Sequence, residues 1–196
     1  DKTMNRLFGE GHWDLNELTI NYRNPQEVSD LASRFAQNEG LYISTVNAVR
    51  ALPDSVSRHV VDDMKALLTV TSNQAAQLAN HFVSADGTGR IAIICPDDLI
   101  KPVREAVRHR LSSLMAPSEY QRLIDQPEWD EQISVCGTEM VKGLEFDAVI
   151  VIEPGRIEDD APSRLVAASD LYVATTRPTQ KLVIVRTKED ERSLNI

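Results

Sequence analysis

Two arginines stand beside apolar runs, where a folded chain can hold them rigidly. Arg23 follows the short run "LTI" at 18–20 and precedes an apparent helix start, which places it at the carboxyl edge of a parallel sheet. Arg177 ends "LYVATTR", just before the next apolar run. A guanidinium group is planar, stays charged and donates several hydrogen bonds. Two of them can therefore clamp a phosphate chain, although each alone also fits a surface ion pair.

A third charged residue, Glu145, precedes the longest apolar run. "MVKGLEFDAVIVIEP" at 140–154 leads a charged segment into β-branched residues typical of a buried parallel strand. Gly143 permits a tight backbone before that strand. The carboxylate of Glu145 is either directed into a ligand cleft, paired with Lys142, or used to cap a turn.

Other catalytic patterns are missing from the sequence. No G-x-x-x-x-G-K-[ST] segment is present, and "GTGR" at 87–90 is too short to replace it and precedes a strand. There is no G-x-S-x-G nucleophile turn. The four histidines show no metal-ligand spacing; they are His12, His59, His81 and His109. We therefore expect no metal site, no hydrolytic triad and no phosphate-binding loop of the chain's own.

Composition limits the class of protein. The net charge of -9 and the isoelectric point near 4.9 argue against wrapping nucleic acid over the whole surface, while a local basic groove stays open. Cys95 and Cys136 lie inside apolar runs, which favours buried, reduced thiols in a cytoplasmic protein. No signal peptide or membrane span is apparent, so we expect no membrane partner. A start at Asp1 without Met fits a processed chain or, as the motifs favour, a fragment of a larger protein.

Short apolar runs alternate with segments of helical spacing, which predicts one α/β domain over 1–196 with a mostly parallel sheet. The predicted strands are 18–20, 91–95, 133–136, 147–153 and 181–186. The predicted helices are 25–37, 56–68, 73–83, 98–114 and 163–175. We expect a loop at 84–90 and a polar connection with one helical turn at 116–131.

Two helix starts have recognisable signals. Asn24 is predicted to cap the first helix, with Pro25 at its first position and Glu27 completing a capping box. Pro162 is placed to open the helix at 163–175, and Pro178 follows its end.

Three segments resemble the motifs of UvrD/Rep-type superfamily 1 DNA helicases, in that family's order. "LTINYRNPQEV" at 18–28 resembles motif IV. The segment at 137–152, with "VKGLEFDAVIVI", resembles motif V, and the segment at 170–185, with "LYVATTRPTQKLVIV", resembles motif VI. The resemblance implies the C-terminal RecA-like domain, called 2A. This is a three-layer domain of the P-loop NTPase type without its own Walker A segment.

The resemblance also implies an ATP site shared with a separate N-terminal RecA-like domain, which would hold the Mg²⁺ ligands. Arg23 and Arg177 would be the catalytic arginines at the γ-phosphate, and Tyr22 would stack beside the adenine. Glu145 would contact the sugar from the turn at Gly143. In motif V, Thr138 and Lys142 would contact single-stranded DNA, and the isolated domain would not hydrolyse ATP.

Some positions depart from that family's usual pattern. Glu139 stands near the place of a DNA-contacting histidine, and "PDD" at 96–98 stands where translocating members often have an arginine. We also expect the large 2B insertion to be missing. These differences resemble the HelD or helicase-IV-like branch, some of whose members bind RNA polymerase and clear it of nucleic acid. Three hypotheses stay open: a DNA translocase, a polymerase-binding ATPase, and an unrelated α/β binding domain.

Overall fold

The described residues form two parallel sheets joined by helices. The computed structural model describes residues 20–38, 47–83, 88–124, 132–159 and 163–193. In chain order the elements are β1 (Ile20–Pro25), α1 (Gln26–Asn38), β2 (Asn47–Arg50), β3 (Val56–Val61), α2 (Met64–Phe82), β4 (Ile91–Ile94), α3 (Asp97–Ser112), α4 (Pro117–Ile124), β5 (Ile133–Cys136), a 3-10 helix (Thr138–Val141), β6 (Phe146–Ile152), α5 (Pro154–Asp159), α6 (Arg164–Thr175), β7 (Pro178–Thr187) and a second 3-10 helix (Lys188–Ser193).

The large sheet has the strand order β3-β7-β6-β4-β5, and all its pairings are parallel. Ile94 lies opposite Cys136 on one side and Val151 on the other. Every residue of β4 is buried, because this strand lies in the interior of the sheet and is covered on both faces. The predicted α/β class with a mostly parallel sheet is therefore confirmed.

Helices cover both faces of the large sheet. On one face, Leu67 of α2 and Val107 of α3 pack with Ile93 and other side chains of the strands. On the other face, Leu31 of α1 and Leu171 of α6 pack with the opposite set of side chains. The result is three layers, helix, sheet and helix, as predicted. Among the described residues, no helix is long and apolar enough to cross a membrane.

The strands predicted at 91–95, 133–136, 147–153 and 181–186 are present with small shifts at their ends. Residues 18–19 lie outside the described residues, and the strand near them runs from Ile20 to Pro25. Arg23 is therefore inside β1, not beyond its end as predicted. β1 pairs with β2 in a separate two-stranded sheet, and neither β2 nor β3 was predicted.

The helix predicted at 56–68 is wrong. Val56–Val61 is a strand, and one helix, Met64–Phe82, replaces the two predicted at 56–68 and 73–83. Asp63 caps this helix through the hydrogen bond that its side chain accepts from the N–H of Ala66, at 2.8 Å. The valines before it favour a strand, because a β-branched side chain fits a pleated surface better than a helix.

The capping box predicted for α1 is wrong as well. The N–H of Asn24 donates to Asn21 Oδ1 at 3.1 Å, and the Glu27 carboxylate accepts from Ser55 Oγ at 3.1 Å and from the N–H of Val56 at 3.2 Å. The helix begins at Gln26, with Pro25 in the preceding strand. The side chains of Asn24 and Glu27 therefore make tertiary contacts instead of capping the helix.

The remaining helices are close to the prediction. The helix α6 begins after Ser163, whose Oγ accepts a hydrogen bond from the N–H of Val166 at 3.3 Å. Pro178, which follows this helix, is the first residue of β7. Pro162 lies outside the described residues. The predicted helix at 98–114 is Asp97–Ser112, and the helical turn expected within 116–131 is the two-turn helix Pro117–Ile124. Of the predicted loop at 84–90, the described residues 88–90 have no regular structure.

Candidate functional site

Three charged side chains from distant parts of the chain converge at the amino edge of the large sheet. Glu145 directly precedes β6 and Arg177 directly precedes β7, so the two lie at neighbouring strand starts. Arg23 reaches them from β1, with its Nε 2.6 Å from Glu145 Oε1. The prediction that Arg23 lies at the carboxyl edge is therefore wrong, because β1 is not a strand of the large sheet.

Arg177 is held by three hydrogen bonds. Its Nε donates to the Val173 carbonyl at 3.0 Å, and its two terminal nitrogens donate to the Leu144 carbonyl and Thr176 Oγ1, both at 3.3 Å. Burial and the positive charge of Arg23 lower the pKa of Arg177, while Glu145 raises it. Glu145 thus pairs with Arg23 and acts on Arg177 through its charge, and two guanidinium groups beside one carboxylate leave a net positive charge suited to an anion.

Asn24 anchors β1 to the turn before β7. Its side chain is buried, and Nδ2 donates to the carbonyl oxygens of Thr176 at 2.9 Å and Pro178 at 2.7 Å. Arg50 adds a second tie, since one of its terminal nitrogens donates to the carbonyls of Arg23 and Thr179. Sequence reasoning gave Asn24 a local capping role and missed Arg50, which belongs to an unpredicted strand.

An exposed apolar stripe lies on the small sheet beside this cluster. Ile20 pairs with Asn47 and Asn21 with Ala48, and strand alternation then puts Ile20, Tyr22 and Val49 on one face. All three are exposed, and Tyr22 is 70% exposed. Tyr22 directly precedes Arg23 in β1, and its ring is open to a ligand or to another domain.

The segment at 137–145 connects two parallel strands and so runs from the carboxyl end of β5 back to the amino end of β6. Gly143 lies in this segment with φ +81°, and an added Cβ would meet no atom within 4 Å. A glycine is needed here because of the positive φ, and not because a side chain would lack room.

Lys142 is bound by two carboxylates, and neither belongs to Glu145. Its ammonium group pairs with Glu139 and lies 3.3 Å from Asp170, and the hydrogen bond to Glu139 raises the pKa of Lys142. The alternative in which Glu145 pairs with Lys142 is therefore wrong. Thr138 opens the 3-10 helix just beyond the carboxyl end of β5, far along the strand direction from the arginines. The structure does not bring Thr138 and Lys142 into the cluster at the amino edge.

Two buried carboxylates lie at the opposite, carboxyl edge. Glu153 follows β6 with φ +47° and accepts hydrogen bonds from the N–H and hydroxyl of Thr187. Asp190 accepts from the N–H groups of Gly155 at 3.1 Å and Arg156 at 3.0 Å. Burial and the nearby Glu153 raise the pKa of Asp190 to about 6. No sequence signal singled out this pair.

The described part of the chain contains no group of three or more histidine, cysteine or acidic side chains placed to hold a metal ion. Both cysteines are free. Cys95 is buried as predicted, and burial raises the pKa of its thiol to about 12, whereas Cys136 is only half-buried.

The fold has a counterpart among solved structures. The C-terminal domain of a possible DNA helicase from Lactobacillus plantarum WCFS1 superposes with a TM-score of 0.56 and 18% sequence identity, covering 89% of this chain and 95% of that one. No protein-family model matches the sequence. No curated protein matches it either. The structural likeness establishes the fold, and the predicted RecA-like class agrees with it.

Proposed function

We propose that this chain is the second RecA-like motor domain of an ATP-dependent superfamily 1 DNA helicase or translocase. In this proposal it supplies Arg23 and Arg177 to an ATP site shared with an N-terminal RecA-like domain. The single observation behind it is that Arg23, Glu145 and Arg177 meet at one edge of the sheet. These residues come from the three segments that resemble helicase motifs IV, V and VI. The structural neighbour, the C-terminal domain of a possible DNA helicase, supports the same proposal.

The cluster has the donor set that a nucleotide triphosphate requires. Arg23 and Arg177 offer positive charge and several N–H donors, and only one carboxylate lies among them. ATP bound with Mg²⁺ would supply the phosphoryl group, and arginines aimed at it stabilise the charge of the transition state. Mg²⁺ needs more oxygen ligands than the single carboxylate of Glu145 provides, so we assign the metal ligands to the other domain.

The way Arg23 and Arg177 are held supports a mechanism of domain closure. Arg177 is fixed by backbone carbonyls, and Arg23 is fixed through β1 by Asn24 and Arg50, so both move with this domain as one body. The exposed stripe of Ile20, Tyr22 and Val49 offers apolar area for the facing domain and, at Tyr22, a ring for the adenine. ATP then brings the two domains together, and hydrolysis lets them part.

The nucleic-acid contact is proposed within the segment 137–145, at Thr138 just beyond the carboxyl end of β5 and at Lys142. That segment links the carboxyl edge to Glu145 at the amino edge, so a shift at one end is transmitted to the other. Single-stranded DNA is the partner that this arrangement would move.

A second candidate is a HelD-like ATPase that binds RNA polymerase and clears it of nucleic acid. The observation favouring it is the pairing of Lys142 with Glu139 and Asp170. Two carboxylates around one ammonium group leave a local negative charge, which disfavours a phosphate backbone.

The deciding experiment measures ATP hydrolysis by a protein in which this chain is joined to its N-terminal motor domain. Rates are compared for the protein alone, with a single-stranded oligonucleotide, and with RNA polymerase. Stimulation by the oligonucleotide supports the translocase, and stimulation by polymerase alone supports the second candidate. Absence of hydrolysis in all three would contradict both. The 196-residue chain by itself should show no turnover, and steady hydrolysis by that chain would contradict a shared site.

A further inference from the structure

A groove of about 650 Å³ lies on one face of the sheet along the edge strand β5. On this face β5 presents Ser134 and Cys136, which are only half-buried, while Ile133 and Val135 on the opposite face are buried. The side chains of α1 and α6 on this face pack mainly over β6 and β7. The groove therefore follows a part of the sheet that the described helices leave partly open.

The groove reaches the topological switch point of the sheet. The connection from β4 to β5 packs its helices on one face, and the connection from β6 to β7 packs α5 and α6 on the other. The crevice between the carboxyl ends of β4 and β6 is the position where open α/β sheets bind ligands. Cys95, Pro96 and Asp97 after β4 and Ile157 after β6 line the groove there.

Three exposed apolar side chains surround this one concavity. They are Met140 of the 3-10 helix, which is 51% exposed, Leu144 before β6, and Val166 of α6. Large apolar side chains scattered singly over a surface need no explanation, but several around one groove are typical of a protein-binding surface. Methionine in particular adapts its shape to different partners.

The cations near the carboxyl-edge end of the groove are already bound. Arg156 contacts both oxygens of Asp98 at 2.8 and 2.7 Å, and Lys142 is held by Glu139 and Asp170. Arg104 donates to the carbonyls of Ile124 and Val135.

One carboxylate at the carboxyl-edge end of the groove is not paired with a cation in the described part of the chain. Asp97 has no cation partner among the described residues, and its Oδ1 lies against Gly137, 2.9 Å from where a Cβ would stand. This end of the groove therefore attracts a cation and repels phosphate.

The amino-edge end has the opposite character. Arg90 precedes β4, lines the groove and is exposed, and within the described ranges its side chain has no acidic partner. The four residues of β4 separate Arg90 from the turn before Asp97, a length of roughly 13 Å at 3.3 Å per residue. A free cation and a free carboxylate thus stand near the two ends of the groove, separated along the chain by the four residues of β4 and by Cys95 and Pro96.

We propose that this groove binds an extended segment of a partner protein. The segment has apolar side chains at its centre, a lysine or arginine over Asp97 and an acidic residue near Arg90. The inference goes beyond the proposed motor function. It competes with the nucleic-acid contact proposed above, because Thr138 lines this groove. Arg23, Glu145 and Arg177 are not in the groove lining, so the ATP-site proposal and this one can fail separately.

The test selects binders from a library of random twelve-residue peptides displayed on phage, using the 196-residue chain without nucleotide. Selected peptides are then synthesised, and their Kd is measured by fluorescence polarisation. We expect sequences with an apolar centre and a basic residue at one end. Asp97→Asn, which keeps the shape of the side chain, should weaken binding about three- to tenfold, as expected for loss of one or two exposed ion pairs. Val166→Arg, which puts a long cation on the groove wall, should abolish binding.

Two controls separate the groove from the rest of the molecule. Glu105→Gln removes an exposed carboxylate on the same helix as Asp97 but outside the groove lining, and should leave the Kd unchanged. Arg58→Ala, on the exposed strand β3 and outside the groove lining, should leave it unchanged too. Failure to enrich any peptide, or peptides that bind the Val166→Arg variant equally well, would overturn the proposal. Displacement of the peptide by an unlabelled oligothymidine would overturn it in favour of a nucleic-acid groove.

Discussion

Arg23 Nε lies 2.6 Å from Glu145 Oε1, and this contact joins the small sheet to the start of β6. Both side chains are about half exposed, at 44% and 50%. A pair this accessible to water contributes little to folding. Its importance is geometric, because it keeps Arg23 beside Arg177 while leaving the guanidinium free to exchange a carboxylate for a phosphate.

Glu145→Gln should therefore separate stability from nucleotide binding. We expect the free energy of unfolding to change by less than about 1 kcal/mol, since an exposed pair is lost. In the protein joined to its N-terminal motor domain, we expect KM for ATP to change by roughly three- to tenfold, because one or two hydrogen bonds are affected. Urea unfolding and steady-state kinetics measure the two effects, with Glu105→Gln as control. A loss of several kcal/mol of stability with unchanged KM would make Glu145 a structural residue.

Arg177→Ala tests the catalytic assignment directly. In the two-domain protein we expect ATP hydrolysis to fall by about 10³-fold, the usual effect of removing an arginine that stabilises phosphoryl transfer. Arg177→Lys should restore little of it, because an ammonium group lacks the planar fork of donors. Arg58→Ala, on the exposed edge strand β3, is the matched control. Normal hydrolysis by the alanine variant would remove Arg177 from the site.

The sequence predicted the membership of the cluster better than its location. Arg177 and Glu145 were recognisable because each borders a strongly apolar strand. Arg23 was placed at the wrong edge, because the rule that ligands lie at carboxyl ends was applied to a strand that belongs to another sheet. Nothing local reveals that "INYRNP" pairs with the distant "NAVR", since two short strands are selected by their tertiary neighbours.

The same reason explains the error at 56–68. A strand of six residues and a capped helix share that window, and helical spacing alone cannot divide them. The prediction that Asn24 caps the first helix failed for a different reason. Asn24 has the right residue type for a cap, but its side-chain amide donates instead to the backbone carbonyls of Thr176 and Pro178.

Asn24→Ala should consequently reduce stability. The change leaves the buried carbonyls of Thr176 and Pro178 without their donor, which costs about 1–3 kcal/mol. Urea unfolding of the 196-residue chain measures the loss. Asn80→Ala on the exposed face of α2 is the control and should stay within about 0.5 kcal/mol of the unchanged protein. Equal stability of the two variants would show that β1 is not anchored through Asn24.

The carboxyl edge supplies a pH-dependent prediction. The pKa of Asp190 is raised to about 6 from 3.8, first by burial and then by the charge of Glu153, against the lowering effect of the N–H groups of Gly155 and Arg156 and the charge of Arg186. The folded state therefore binds a proton more tightly than the unfolded state does. The stability from this group is full below pH 4 and is lost as pH rises towards 6.

Other carboxylates titrate in the same range, so the effect has to be measured against Asp190→Asn, which keeps a neutral side chain at every pH. The unfolding free energy of the unchanged protein, minus that of the variant, should fall as pH rises from 4 to 6 and be level above about 7. Urea unfolding at half-unit pH steps gives this difference. A difference that rises with pH would mean that Asp190 is ionised and stabilising, with its two backbone hydrogen bonds outweighing burial beside Glu153.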